Sequence, residues 1–147
     1  MQNKEFMKYG NNVVPIPAGN QYNLEAGKVY DLNYNRYRET FDLSLNGDLN
    51  MPPKLYEIAN NTKFVKRVLD FFNKTSKQTT GVMLYGEKGT GKSITAKQIA
   101  QQSGLPILVV NESCRFGDLN KFFKQFTTPV CCLFDEVEKN FNTESLL

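Results

Sequence analysis

The fold of this chain is decided by the stretch Gly86-Glu87-Lys88-Gly89-Thr90-Gly91-Lys92-Ser93, which fills every fixed position of the pattern G-x-x-x-x-G-K-[S/T]. An apolar run over residues 81–85 precedes it, and residues 94–100 read as the start of a helix. A strand that ends in a glycine-rich turn and enters a helix directs several backbone N–H groups into one nest. The nest lies at the positive end of the helix dipole, so the sequence predicts a phosphate-binding loop.

Each residue type in this loop has a chemical role. Glycines let the backbone approach a phosphate closely and adopt angles that strain other residues. Lys92 supplies positive charge to the β and γ phosphates of a nucleotide, and the Ser93 hydroxyl is a ligand for Mg²⁺. The predicted nucleotide-binding residues are Gly86, Glu87, Lys88, Gly89, Thr90, Gly91, Lys92, Ser93 and Ile94.

Length and composition exclude several classes of protein. The 147 residues suffice for one ordinary domain, and 40% apolar with 22% charged residues indicates a globular chain. A net charge of +3 does not by itself indicate nucleic-acid binding, and the absence of histidine excludes histidine catalysis and histidine metal sites. The polar N-terminus lacks a signal sequence, and no stretch approaches the roughly 18 apolar residues of a membrane span. We therefore expect a cytoplasmic protein without membrane contact.

The three cysteines, Cys114, Cys131 and Cys132, have no metal-binding spacing. Two of them are adjacent within an apolar run, which predicts buried thiols in a reducing compartment rather than a disulfide.

Residues 1–50 are predicted to form a small β-rich N-terminal element, which ends before Met51-Pro52-Pro53. Residues 1–23 show no periodicity and are expected to be an irregular or extended arm. Alternation of apolar and polar residues over 28–34 and 41–45 predicts an antiparallel hairpin whose strands are joined around residues 35–38 and which ends in a turn at residues 46–48. Its tyrosines and arginines could stack on bases or dock a protein, although strand residues on a half-solvated sheet are the simpler interpretation. These residues are Tyr30, Tyr34, Arg36, Tyr37 and Arg38.

Residues 51–147 alternate between helical and strand patterns, which predicts an α/β fold with a parallel sheet. The predicted elements are a helix capped by Asn61 or Thr62 and running through about Asn73, a strand over 81–85, a helix ending at about Ser103 with Gly104 as its cap, a strand over 106–110, a helix capped by Asp118 that contains Leu119, Phe122, Phe123 and Phe126, and a strand over 129–134.

The last apolar strand ends in Asp135-Glu136. Acids at the carboxyl end of a parallel strand face the same crevice as the phosphate loop. Asp135 is therefore predicted to hold Mg²⁺ together with Ser93, and Glu136 to act as the general base for an attacking water. The alternative is an acidic start to a following helix. The co-occurrence with the phosphate loop favours the catalytic interpretation.

Residues 84–93 and 134–138 resemble the Walker A and Walker B motifs of the AAA+ ATPase family. The resemblance covers about residues 55–147 and is similar in character to phage- and virus-encoded members, which act in a host cytoplasm. It implies a three-layer P-loop NTPase core with ATP and Mg²⁺ as cofactors and with Lys92 and Glu136 as catalytic residues. It also implies a hexamer-like ring of identical subunits that remodels a protein or nucleic-acid partner.

Two further sites are implied by the same resemblance. The stretch Leu55-Tyr56-Glu57-Ile58 would lie against the adenine. Arg115-Phe116-Gly117-Asp118 occupies the position of a loop that grips a threaded polymer through an aromatic residue. Phe116 would then either line a central pore or cap the core beside Phe122.

The family's sensor 1, arginine finger and helical lid follow the Walker B strand, and the sequence ends at Leu147. We therefore expect the N-terminal part of a core truncated after Walker B, with weak or no turnover on its own. An arginine finger contributes ~10³–10⁵ in rate. Two alternatives to the ATPase are a P-loop kinase that phosphorylates a small molecule and a non-catalytic nucleotide-binding or docking module. Glu136 beside Asp135 favours hydrolysis over the kinase.

Overall fold

The computed structural model describes residues 6–9, 11–15, 23–55, 61–75, 78–135 and 137. Within these residues lie six strands and three helices. The strands are β1 (Phe6–Tyr9), β2 (Asn12–Pro15), β3 (Lys28–Asn35), β4 (Thr40–Asp48), β5 (Ile107–Val110) and β6 (Cys131–Phe134). The helices are α1 (Asn61–Lys74), α2 (Lys92–Ser103) and α3 (Phe116–Phe123). Of these helices, none has the length and apolar character that crossing a bilayer requires.

The six strands form one mixed sheet in the order β1-β2-β4-β3-β5-β6. Neighbours are antiparallel from β1 to β3, whereas β3 pairs with β5 and β5 with β6 in parallel. The predicted α/β class, with parallel strands and helices, is therefore confirmed. Strands from residues 1–50 and from residues 51–147 share this sheet, and the division of the chain at residue 50 remains a prediction.

The predicted hairpin is formed by β3 and β4, which pair from Lys28↔Asp48 to Asn35↔Thr40. The turn predicted at residues 46–48 is wrong, because these residues continue β4. Val29 pairs with Gly47 and Tyr30 with Leu45, so one extra residue of β4 forms a bulge. Gly47 has a φ of 93°, which a residue with a side chain rarely adopts. Because glycine tolerates this angle, β4 continues past the bulge to Asp48.

The sequence predicts an irregular or extended arm over residues 1–23. This prediction is wrong where β1 and β2 lie, because these two strands pair as a short antiparallel hairpin. β2 pairs with β4 through Asn12↔Ser44 and Val13↔Leu43. Phe6 and Val13 are buried against the rest of the sheet. Strands of four residues are too short to show a period of two, so burial against β4 decides a structure that the local pattern does not reveal.

Helices cover both faces of the parallel part of the sheet. Leu108 and Val110 of β5 belong to the larger core cluster, which includes Leu119 and Phe122 of α3. Ile107 lies on the opposite face, in a smaller cluster with Ala100 of α2. Since successive residues of a strand point to opposite faces, α2 and α3 lie on opposite sides of the sheet. The architecture is three layers, helix on sheet on helix.

The helix predictions are largely confirmed. α1 ends one residue after its predicted end, α2 begins two residues before its predicted start and ends at Ser103 as predicted, and Gly104 closes α2 in the left-handed conformation with φ 67°. The predicted cap of α3 is wrong, because α3 begins at Phe116 and Asp118 lies in its first turn. Asp118 is buried and accepts a hydrogen bond from the Tyr34 hydroxyl at 2.7 Å. Its carboxylate is thus paired with a side chain of β3 and not with a backbone N–H group at the start of α3. Phe126 lies beyond α3 but stacks against Phe122, with 5.2 Å between the ring centroids.

The predicted strand over residues 81–85 is wrong, because these residues join no ladder of the sheet. Met83 and Tyr85 are 86% and 90% exposed. The segment and β6 both line an apolar cavity of about 160 Å³, and none of the described residues pairs with the free edge of β6. A strand needs a neighbour to satisfy its N–H and C=O groups, so an apolar composition alone does not produce one.

We expect the substitution Phe122→Ala to lower the free energy of unfolding by about 3–5 kcal/mol. Phe122 is 2% exposed and contacts the rings of Phe6, Phe41, Phe123 and Phe126, so truncation leaves a cavity in the larger cluster. The measurement is urea denaturation followed by circular dichroism. Phe71→Ala is the matched control, because Phe71 is an exposed residue of α1 and its truncation should cost at most about 0.5 kcal/mol. Equal effects of the two substitutions would contradict the described core.

Candidate nucleotide-binding site

The glycine-rich loop has the backbone conformation that its sequence predicts. Gly86, Gly89 and Gly91 have φ angles of 139°, 84° and 87°, which side chains disfavour. α2 begins directly after the loop at Lys92, and Gly91 occupies the cap position without a side-chain hydrogen bond. The first-turn N–H groups of a helix have no partner within the helix. The loop and the start of α2 therefore present backbone donors and a positive dipole end at one place.

Lys92 lies folded over the loop. Its Nζ donates hydrogen bonds to the carbonyl oxygens of Gly86 at 2.8 Å and Glu87 at 2.6 Å. The Thr90 hydroxyl donates to the same Glu87 carbonyl at 2.8 Å. These three bonds fix the curvature of the loop and hold a positive charge inside it, which is where the sequence predicts the phosphates of a nucleotide.

The junction between loop and helix is anchored by α1, which the sequence did not indicate. The Thr95 hydroxyl is within donating distance of the carbonyl oxygen of Gly91 and of Asn61 Oδ1, both at 3.0 Å. The side-chain amide of Asn61 also donates to Gln98 Oε1 at 2.6 Å. Asn61 was predicted only as a helix cap. No pattern in a single sequence links it to Thr95, which is 34 positions away.

The predicted metal ligands are both accessible. Ser93 is exposed in the first turn of α2, and Asp135 is exposed directly after β6. Within the described residues there is no group of three or more acidic, histidine or cysteine side chains that could hold a metal ion. A hydroxyl and one carboxylate are nevertheless the oxygen ligands that suit Mg²⁺ when nucleotide phosphates complete its shell. Ser93 and Asp135 fit a metal held jointly with a nucleotide.

Several predicted residues lie outside the described part of the chain. Glu136, the predicted general base, is one of them, and so are Tyr56, Glu57 and Ile58 of the predicted adenine contact. Leu55, the remaining residue of that contact, is exposed. The roles of these residues and of the loop remain predictions from the sequence.

The polymer-gripping role considered for Phe116 is not supported by its position. Phe116 is the first residue of α3 and packs against the larger core cluster, which is the alternative that the sequence left open. Its neighbour Arg115 forms an ion pair with Glu39 at 2.6 Å, and Asp118 is bonded to Tyr34. The segment is thus attached to the β3–β4 hairpin.

The three cysteines are free and partly buried, in agreement with the prediction of thiols rather than a disulfide. Burial raises the pKa of the Cys132 thiol to about 12, and burial also raises the pKa of Cys114 and of Cys131. A thiol with a raised pKa remains protonated at neutral pH and is a poor nucleophile. None of the three cysteines is therefore suited to act as a nucleophile in the described site.

The three-layer fold and the glycine loop that enters α2 define a P-loop nucleotide-binding protein. A family model described as "ATPase family associated with various cellular activities (AAA)" matches residues 82–145. This match and the relatives below identify residues 82–145 as part of an AAA+ ATPase domain.

Three relatives illustrate the similarity. The chain is 33% identical over 105 residues to the ATP-dependent zinc metalloprotease FtsH 3 of Symbiobacterium thermophilum. These 105 residues make up 71% of this chain and 16% of the relative. It is 36% identical over 70 residues to FtsH of Lachnoclostridium phytofermentans, covering 41% of this chain and 12% of the relative. It is 34% identical over 80 residues to the uncharacterized AAA domain-containing protein ycf46 of Guillardia theta, covering 44% of this chain and 16% of the relative. The chain thus spans less than a fifth of each relative's length, and no solved structure matches it.

Proposed function

We propose that this chain is the nucleotide-binding part of a cytoplasmic ATPase that hydrolyses ATP with Mg²⁺ to remodel a protein or nucleic-acid partner. The observation that carries the proposal is the loop over residues 86–91, with Lys92 folded onto it at the start of α2. The match of residues 82–145 to the AAA family model supports ATP as the nucleotide.

Binding of the phosphates requires only a short movement of Lys92. Its ammonium group now donates to the neutral carbonyl oxygens of Gly86 and Glu87. A phosphate oxygen is a charged acceptor and forms a stronger hydrogen bond, so the ammonium group would transfer to the β and γ phosphates. The backbone N–H groups of the loop and the first turn of α2 would bind the remaining phosphate oxygens. The bonds between Thr95, Gly91 and Asn61 keep this helix start in position.

Hydrolysis needs a metal and a base beside the γ-phosphate. When bound, Mg²⁺ would neutralise charge on the phosphates, and Ser93 and Asp135 would hold it. Glu136 would accept a proton from the attacking water, because a carboxylate at that position follows the metal-holding Asp135 at the same sheet edge. We further propose that identical subunits assemble into a ring. A neighbouring subunit would supply an arginine to the transition state, an interaction that contributes ~10³–10⁵ in rate in other NTPases.

The test is single-turnover release of inorganic phosphate, with the full chain in excess over ATP so that slow turnover is detected. We expect phosphate release that requires Mg²⁺ and stops when the metal is chelated with EDTA. A parallel reaction contains a mixture of small phosphate acceptors. Transfer of phosphate to an acceptor would replace the ATPase by the kinase alternative. Tight ATP binding without any phosphate release would leave the chain a non-catalytic nucleotide-binding module.

A further inference from the structure

The turn of the β3–β4 hairpin, residues 36–39, is hereafter called the hairpin tip. β3 runs parallel to β5, and their pairing extends from Val29↔Ile107 to Asp31↔Val109. The last residues of β3 and the hairpin tip therefore extend past the carboxyl end of β5. β6 is parallel to β5 and is followed by Asp135, so the hairpin tip lies at the same end of the parallel strands as this predicted metal ligand.

Three side-chain contacts attach the end of this hairpin to the segment between β5 and α3 and to the first turn of α3. Arg36 Nη2 donates to the Ser113 hydroxyl at 3.0 Å. Arg115 and Glu39 form an ion pair at 2.6 Å. The Tyr34 hydroxyl donates to the buried carboxylate of Asp118 at 2.7 Å. The hairpin tip is therefore coupled to the ATPase core, and a movement of residues 113–118 would displace it.

The hairpin tip presents an aromatic ring between two cations in a fixed conformation. Asn35 Oδ1 accepts hydrogen bonds from the backbone N–H groups of Tyr37 and Arg38, both at 3.1 Å, and so holds the turn. Tyr37 is fully exposed, and the neighbouring residues 35, 36 and 38–40 are exposed to a lesser degree. Neither Arg36 nor Arg38 has a carboxylate partner among the residues that the structure describes. The exposed ring of Tyr37 and the exposed guanidinium groups of Arg36 and Arg38 are therefore accessible to a ligand.

A polar hollow of about 420 Å³ lies beside the hairpin tip. Its lining consists of Asn33, Tyr34, Asn35, Arg36, Tyr37 and Asp42. Asn33 Nδ2 donates to Ser44, and Asn35 Oδ1 holds the turn. Asn35 Nδ2 therefore remains as a donor, and Asn33 Oδ1 and the Asp42 carboxylate as acceptors, for the edge of a nucleobase. The hollow is an open surface depression that a base can approach from solvent.

We propose that the hairpin tip and this hollow bind single-stranded nucleic acid. A base stacks on Tyr37, the hollow holds the edge of a neighbouring base, and Arg36 and Arg38 bind the phosphates between them. An acidic peptide would use the two arginines but would need neither an exposed ring nor amide groups in the hollow, so these groups favour a nucleic acid. The proposal names the polymer on which the ATPase acts, and in that sense it rests on the proposed function.

The test measures binding of a fluorescein-labelled thymidine 20-mer to the full chain by anisotropy, without ATP. We expect Tyr37→Ala to weaken binding about 10-fold and Tyr37→Phe to preserve it, because stacking needs the ring and not the hydroxyl. Arg38→Ala should also weaken binding and reduce the slope of log K against log salt by about 0.7. Arg67→Ala is the matched control, since Arg67 is an exposed arginine of α1 without a described ion pair, and it should bind as the unsubstituted chain does.

Three outcomes would overturn this inference. They are no binding of the oligonucleotide, binding that Tyr37→Ala and Arg38→Ala leave unchanged, and preferential binding of polyglutamate at the same residues. The variant Lys92→Ala separates this inference from the proposed function, because it should bind ATP about 100-fold more weakly and bind the oligonucleotide as the unsubstituted chain does. Oligonucleotide binding that depends on Tyr37 in a chain that does not bind ATP would contradict the proposed function and leave this inference intact. Circular dichroism of each variant confirms that it folds, as expected for exposed positions.

Discussion

Replacing Lys92 by alanine is expected to weaken ATP binding about 100-fold. Lys92 supplies the one side-chain cation that the loop holds against itself, through bonds to Gly86 and Glu87. Hydrogen bonds from a charged donor contribute about 1.5–3 kcal/mol each, and this ammonium group is expected to make at least one to each of two phosphates. The substitution also removes the two bonds that fix the loop, so the backbone donors lose part of their preorganisation. Both effects act in the same direction.

Isothermal titration with ATP and Mg²⁺ measures this change directly. Lys66→Ala is the matched control, because it removes the same charge from an exposed position on α1. We expect the control to bind ATP as the unsubstituted chain does, which would exclude a general effect of net charge. An unchanged affinity in Lys92→Ala would refute the assignment of the loop as the phosphate site. Denaturation curves of both variants test whether the loop bonds also contribute to stability.

The parts of this structure that the sequence predicted are those determined by local interactions. α2 follows from a glycine loop at its start and Gly104 at its end, and both signals act within a few residues. The hairpin of β3 and β4 follows from alternation over strands of eight and nine residues, which is long enough to define a period. The conformation of the loop follows from the glycines themselves, since positive φ angles are what they permit.

The parts that the sequence missed depend on contacts between distant residues. β1 and β2 exist because Val13 is buried beside Leu43, 30 positions further along the chain, and Phe6 packs against Phe122 and Phe126, more than 100 positions further along. Asp118 resembles a helix cap, yet its carboxylate is satisfied by Tyr34, 84 positions earlier. Local propensity cannot anticipate either partner.

The segment over residues 81–85 is the converse case, because its composition predicts a strand and the described structure has none there. Its composition is that of a buried strand, but composition specifies only that a segment is able to join a sheet. Pairing requires a free neighbour at the right distance, and the described residues place a cavity beside the edge of β6 instead. The phosphate loop nevertheless keeps its shape, because its own hydrogen bonds and the contacts of Thr95 with Gly91 and Asn61 stabilise it independently of the sheet.

The substitution Glu136→Gln is expected to lower the rate of ATP hydrolysis by about 10²–10⁴ and to leave ATP affinity nearly unchanged. A positioned general base contributes that factor, and an amide of the same shape cannot accept the proton of the attacking water. The phosphate loop and Asp135 retain their side chains in this variant, so binding should persist. The same single-turnover phosphate assay measures the rate, and titration with ATP measures the affinity.

Glu138→Gln is the control that separates catalysis from the electrostatics of a helix start. If Glu136 only supplied negative charge to a following helix, then removing either carboxylate would have a similar and small effect, because such interactions contribute about 0.3–1 kcal/mol. A loss of hydrolysis confined to Glu136→Gln would therefore identify a base and not a helix-stabilising charge. Hydrolysis that survives Glu136→Gln would remove this residue from the mechanism, and the attacking water would then have to be activated by another group near Asp135.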